Sequence, residues 1–317
     1  MKKQTLYNFY AILVVAIWGV TFISTKVLLQ DMTPAGIMLC RFIIAYFGLL
    51  IMHPKFYPIK SIKEELAFML GGLCGGSFYF FTENTAVKLT LTSNVSLILA
   101  TVPILTALLL RVADPSRRLS RNVFYGFGVA ILGVALVIFN GNFVLKLSPL
   151  GDLLALTAAA SWAAYTLVLG KLRGRYHTLY TTRKIFLYAL LTMLPIVAAR
   201  GLGFQPAVLM QGRVLFNLLF LGLVASSFCY ALWNLVVDNL GAVKANNYIY
   251  LIPLVTMAAS ALMLKEPVTA LSLLGGALTI LGVYLAENGP EKLWKLLGQA
   301  ASRSQRGQDQ VEAGSGQ

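Results

Sequence analysis

Apolar runs that recur at short intervals constrain this chain more than any other feature. A helix needs about 20 apolar residues to cross the hydrocarbon core of a bilayer. With that ruler ten runs fit, at 6–29, 34–52, 65–88, 92–111, 121–140, 149–170, 181–200, 213–238, 243–264 and 269–287, joined by short loops. The predicted fold class is therefore all-α, a polytopic membrane protein with ten transmembrane helices. Composition agrees: 58% of the chain is hydrophobic, 12% is charged and the mean hydropathy is +0.74, whereas soluble domains carry about 25% charged residues. The first run lies behind Lys2 and Lys3, exceeds a signal-peptide core and lacks a small-x-small cleavage site, so it reads as a permanent span. Beyond the last run, 288–317 is predicted to hold a short interfacial helix (PEKLWKLLGQ, Pro290 to Gln299) and a disordered polar tail.

The second half of the chain repeats the first. Ser77, Phe78, Asn84 and Pro103 recur at the same spacing as Ser227, Phe228, Asn234 and Pro253, with 26 residues from serine to proline in both. Trp18 in the first span answers to Trp162 in the sixth, and Ile131-Leu132-Gly133-Val134 to Ile280-Leu281-Gly282-Val283. The repeats are assigned to 6–140 and 149–287. Five spans per unit is an odd number, so the second unit is predicted to sit upside down relative to the first. Inverted repeats of this kind build secondary transporters with a midplane site between the halves.

The net charge of +14 would suit a polyanionic partner if it were clustered. It is spread over short loops instead, which speaks for topology and against nucleic acid. Of the 26 Lys and Arg, 19 fall on the side shared by both termini; Lys88, Lys146, Arg200, Arg213 and Lys265 fall on the other, with Lys26 and Arg41 inside spans. Both termini are thus predicted to be cytoplasmic, in a multi-pass protein of the cell (inner) membrane. Cys40, Cys74 and Cys229 lie in apolar runs as packing residues, and the two histidines, His53 and His177, are far apart in sequence, so no metal or other cofactor is expected.

Polar and aromatic residues inside spans are the candidate site. Trp18, Thr21 and Thr25 share one helical face, and Trp162 with Tyr165 repeats the spacing; these aromatics either hold an amphipathic solute or pack and anchor the helices. Asn84 and Asn234 occupy matching positions and need a partner in protein or water, either as helix-to-helix hydrogen bonds or as solute contacts. Pro103 and Pro253 are predicted to kink the fourth and ninth spans, whose polar residues Asn94, Asn246 and Tyr250 favour a cavity wall. Glu83 lies ~7.5 Å and Arg41 ~10 Å from the predicted outer surface at 1.5 Å rise per residue. Glu83 is expected to pair with Arg41 or Lys26, and Asp238 with Arg183 or Lys184, as static ion pairs or as gate or coupling groups. Gly126, Ala130 and Gly133, with Gly275, Thr279 and Gly282, form small-residue stripes suited to close helix packing.

The run from Tyr230 to Leu285 carries Leu232-Trp233-Asn234, Leu240-Gly241-Ala242, Ile252-Pro253, Lys265-Glu266-Pro267 and Gly275-Gly276-Ala277-Leu278. It resembles the second EamA domain of the drug/metabolite transporter superfamily, and the first half resembles the same domain through Trp18-Gly19, Arg41-Phe42, Asn94 to Pro103 and Gly126 to Val134. The acid that the family places after the fourth helix of each unit is matched by Glu266, while the first unit offers Asp114 before Pro115. The resemblance implies ten helices, a central cavity lined from both halves, and export of small metabolites such as amino acids, or of toxic compounds. The expected protein is a secondary transporter, not an enzyme, whose partners are a small-molecule solute and the lipid bilayer, as a monomer or homodimer. A carrier of phosphorylated or lipid-linked sugars, using Arg41 and Lys26 as its cations, and a non-transport membrane scaffold are the competing readings.

Overall fold

The structure is a computed structural model that describes residues 2–59, 61–116, 121–139, 148–172, 174–201, 203–240, 248–249 and 251–289. Asn246, Tyr250, the side chains of Asn234 and Asp238, and the predicted tail from 290 onward lie outside the described residues. Among the described residues thirteen α-helical segments carry the fold: α1 (Lys2–Leu28), α2 (Pro34–Met52), α3 (Ile62–Gly72), α4 (Phe78–Leu89), α5 (Thr92–Leu99), α6 (Val102–Ala113), α7 (Arg121–Phe139), α8 (Pro149–Leu172), α9 (Thr178–Arg200), α10 (Gly212–Leu219), α11 (Cys229–Leu240), α12 (Ile252–Ala259) and α13 (Ala270–Asn288). No strand occurs among the described residues. Among the described residues seven helical stretches are long and apolar enough to cross a membrane: Gln4–Leu28, Pro34–Met52, Thr92–Ala113, Arg121–Phe139, Pro149–Leu172, Thr178–Ala199 and Gly212–Trp233; two further apolar helices, Ile252–Leu264 and Ala270–Ala286, are shorter.

Local signals set the boundaries. The Thr33 hydroxyl accepts from Gly36 N at 3.2 Å, with Pro34 in the first turn of α2, and Thr269 and Ser272 form a capping box that starts α13. Pro103 and Pro253 also sit in the first turns of their helices, α6 and α12. There the missing N–H has no intrahelical role to lose. The chain thus does more than kink at Pro103: it breaks at Ala100–Thr101 and restarts as α6.

Two π-helical segments occupy matching places, Leu73–Ser77 between α3 and α4, and Phe220–Phe228 between α10 and α11. Each ends within a residue of its Ser-Phe pair. Ser77 Oγ lies 2.8 Å from Thr192 Oγ1 on α9, and Ser227 Oγ donates to Ala45 O on α2 at 3.2 Å.

The packing is reciprocal. α9 lies on the Leu73–Ser77 segment as α2 lies on Phe220–Phe228; α4 packs on α8 as α11 packs on α1; α6 meets α8 as α12 meets α1; and α2 meets α9. α7 and α13 form the most extensive helix contact and run antiparallel, since Gly126 faces Gly282 and Ala286 while Gly133 faces Gly275 and Thr279.

The end of the bundle where α1 begins, here the near end, is tied by cations from α9 and the link before it. Arg183 is 2% exposed; its guanidinium donates to His53 O at 2.5 Å and Lys55 O at 2.8 Å, capping α2, and rests 4.5 Å above Phe56. Lys184 pairs with Glu65, and Arg175 with Glu64. Arg183 and Lys184 therefore have partners other than the expected Asp238. The His53 and His177 rings stack 4.3 Å apart at 7°, and burial, reinforced by His177, Arg183 and Lys55, pushes the His53 pKa below its ordinary value. Replacing Arg183 with alanine removes two charge-assisted bonds to helix-end carbonyls and is expected to cost about 2–3 kcal/mol, read as a lower thermal midpoint in detergent, with Arg183→Lys recovering part of it.

Candidate functional site

In the middle of the bundle the duplicated tryptophans are joined by a continuous path of aromatic rings. From Trp18 it runs to Tyr230 (5.9 Å between centroids), Phe186 (5.9 Å), Phe42 (5.3 Å), Phe80 (5.4 Å), Tyr79 (4.7 Å) and Trp162 (4.7 Å), and on to Tyr165 (5.0 Å). All these spacings lie within the range in which ring quadrupoles attract. The collar draws on α1, α2, α4, α8, α9 and α11. Glycine makes room for it: a Cβ on Gly75 would stand 2.4 Å from the Tyr165 ring.

Two charges sit against the collar. Arg41 is 6% exposed and Glu83 7%. The Arg41 guanidinium donates from Nε to Ser226 Oγ at 3.0 Å and lies 4.3 Å above the Phe80 ring. The Glu83 carboxylate accepts from the Tyr79 hydroxyl at 3.3 Å. The two are within electrostatic reach of each other and of the Tyr230 hydroxyl, yet the expected Glu83–Arg41 ion pair is not closed within 4 Å among the described residues. Each charge is held by a neutral partner and keeps hydrogen-bonding capacity, because a guanidinium has five N–H donors and a carboxylate about four acceptor sites.

The remaining candidates divide. Asn84 is 1% exposed and Asn94 0%. Asn84 Nδ2 reaches Pro34 O only at 3.5 Å, its Oδ1 is unpartnered, and both amide atoms of Asn94 are unpartnered. Buried amides in that state cost free energy unless a group comes to them. Trp18 Nε1 donates to Ala225 O at 3.0 Å, and Thr21 Oγ1 to Trp18 O at 2.6 Å, so those polar atoms are engaged within the protein. Lys26 does not meet Glu83: its ammonium donates to Val87 O at 2.5 Å and Thr90 O at 3.0 Å, closing the C-terminus of α4. Pro103 lies elsewhere, on a small apolar cavity with Ile104, Ala107, Val123 and Ala286.

Phe42, Tyr79, Phe80, Phe186, Ser226 and Tyr230 escaped the sequence reading. Tyr79 was accessible to it, standing one helical turn before Glu83; the others are ordinary residues of apolar runs until α2, α4, α9, α11 and the Phe220–Phe228 segment converge.

An all-helical bundle with membrane-length spans, buried charges at its centre and an aromatic collar fed from both halves of the chain is the construction of a membrane transporter. The EamA-like transporter family model matches residues 5–139 and again 149–287, and the chain belongs to that family as a multi-pass membrane protein. It is 26% identical over 288 residues to a protein of Salmonella typhimurium described as "Probable amino-acid metabolite efflux pump" (88% of this chain, 93% of that one). It is 28% identical to an "Uncharacterized transporter" of Archaeoglobus fulgidus (86% and 94% covered) and 26% identical to a "Probable terminal-alkyne amino-acid exporter" of Streptantibioticus cattleyicolor (86% and 91%). Among the solved structures it resembles, one crystal structure matches with a TM-score of 0.59 at 19% identity, over 92% of this chain and 99% of its own, a likeness of fold.

Proposed function

We propose that this protein is a ten-helix secondary exporter of zwitterionic amino acids or close relatives with apolar side chains, working by alternating access between two inverted halves in the cell membrane, both termini cytoplasmic. The observation that carries the solute class is the pair Arg41 and Glu83: opposite charges, both buried, each held by a neutral neighbour and still able to bond, against one aromatic wall. A carboxylate suits the guanidinium and an ammonium suits the glutamate, while the collar receives an apolar side chain. The relatives named for amino-acid export support the same class.

The antiparallel α7–α13 pair supports the inverted arrangement. Gly126 meets Gly282, the counterpart of Gly133, and Gly133 meets Gly275, the counterpart of Gly126. A pseudo-twofold axis crossing the helices generates that exchange, and it generates the other reciprocal contacts and the paired π segments as well. Counting α3 with α4, α5 with α6, and α10 with α11 as single crossings gives ten spans, and the positive loop charges assign the near end to the cytoplasm. A sugar-phosphate carrier would need a second cation in the cavity, and Lys26 is engaged with helix carbonyls.

Counterflow into vesicles reconstituted with the purified protein tests this. Leucine or phenylalanine is expected to exchange, while the methyl ester, lacking the carboxylate, and the N-acetyl derivative, lacking the ammonium, compete at least ~10-fold more weakly, since each loses a charged hydrogen-bond partner. No exchange with a broad amino-acid panel, or equal competition by the ester, would sink the reading.

A further inference from the structure

Glu266, in the Lys265-Glu266-Pro267 link that follows α12 and its π-helical extension Ser260–Leu264, reaches into the other half of the chain. Its Oε1 accepts from Thr92 N at 2.8 Å and Thr92 Oγ1 at 2.6 Å, and its Oε2 from Ser93 N at 3.2 Å and Ser93 Oγ at 3.1 Å. The link is shaped for that reach. Lys265 takes a left-handed conformation, φ 56°, which stops the helix, and Glu266 N bonds back to Ser260 O at 3.2 Å. Pro267 then bars Glu266 from the helical region.

Helices ordinarily receive their N-cap from their own preceding residue. That residue in α5 is Leu91, which has no capping group, so the cap is supplied by a carboxylate 174 positions away. The first turn of α5 is satisfied by protein only while the two halves touch at the far end. Asp152 of α8 strengthens the same junction by accepting from Thr90 Oγ1 at 3.0 Å. One residue past the clamp stands Asn94, fully buried with both amide atoms unpartnered.

We infer that Glu266 is a positioning residue and the latch of the far-end gate: its clamp on Thr92 and Ser93 holds the halves closed there, and it lets go when that end opens, leaving the turn that carries Asn94 to water. The inference rests on the alternating-access reading above. It gives solute and gate a shared element, since a solute bonding Asn94 and the latch act on the same helical turn.

The test is a distance measurement across the latch. Spin labels go on Lys88→Cys, exposed in the last turn of α4, and on Val268→Cys, exposed in the link, in a chain with Cys40, Cys74 and Cys229 replaced by alanine. Glu266→Ala is expected to add a longer-distance population and raise the ratio of open to closed by about ten-fold, with Glu266→Gln, which keeps one acceptor, in between. If Glu266→Ala does not fold, Thr92→Val with Ser93→Ala removes the hydroxyl half of the clamp from the opposite side and must shift the distances the same way. A cap with no gating role would lower the thermal midpoint and leave the distance distribution unchanged, which overturns the latch. Counterflow on the same samples keeps the two readings apart. Unchanged distances with active exchange remove the latch and leave the exporter; lengthened distances without exchange of any amino acid leave the latch and remove the solute class.

Discussion

Gly282→Ala is expected to eliminate the folded protein or to destabilise it by about 3 kcal/mol or more, the upper range of overpacking penalties. A methyl carbon there would stand 2.3 Å from Ala130 N and 2.6 Å from Gly126 O. Those are backbone atoms of a facing helix and cannot rotate aside, so α7 and α13 must separate by on the order of 1 Å along their length to restore ordinary contact. In lipid, close backbone approach at small residues is a main source of helix association, so the separation loosens the most extensive contact in the bundle. Gly128 supplies the control. It lies on α7 two residues from Gly126, and nothing would stand within 4 Å of its added carbon; Gly128→Ala should leave stability unchanged or raise it by ~0.5–1 kcal/mol through helix propensity. Size-exclusion profiles and thermal midpoints in detergent read both. A well-folded Gly282→Ala protein with a native midpoint would contradict the seam.

Substitution of Arg41 should have the largest effect on transport. Arg41→Lys keeps the charge but gives up the Nε bond to Ser226 and the flat stacking on Phe80. A lost charged hydrogen bond of about 1.5–3 kcal/mol corresponds to a fall of about 10- to 160-fold in counterflow efficiency, with the fold retained. Arg41→Leu goes further, because it strands the Glu83 charge in the protein interior. Breaking a closed buried ion pair from one side costs about 3–5 kcal/mol; Arg41 and Glu83 sense each other without closing to 4 Å, so a loss below that range is expected, while replacing both charges by apolar groups is far less damaging. The double variant Arg41→Leu with Glu83→Leu is therefore expected to regain thermal stability without regaining transport. Recovery of transport in the double variant would mean that neither charge touches the solute, and equal stability of single and double variants would mean that the two charges do not sense each other.

Tyr230 and Asn84 illustrate how differently the site's parts were legible. Asn84 announces itself, since an amide within an apolar run must be explained and its copy at Asn234 doubles the signal. Tyr230 reads as one more aromatic in an apolar stretch and gains meaning only where α9 brings Phe186 against it. Lys26 was legible as a charge inside a span and Arg183 as a candidate partner for Asp238, but their actual partners were not. Both bond backbone carbonyls at helix ends, and a carbonyl leaves no trace in residue identity. The same blindness applied to Glu266, whose nearest acidic counterpart, Asp114, caps Ser116 locally; no rule of spacing connects position 266 to position 92.

The apolar period and the duplication belong to the sequence alone. A bilayer forces long apolar runs into helices whatever their neighbours, and copied residues at copied intervals declare two similar units. Which helix faces which, where the two buried charges rest, and that the cap of α5 comes from the opposite half were decided by tertiary structure. The contacts that decide it, Arg41 with Ser226 185 positions away and Glu266 with Thr92 174 positions away, are fixed by how helices pack, not by what either segment prefers on its own.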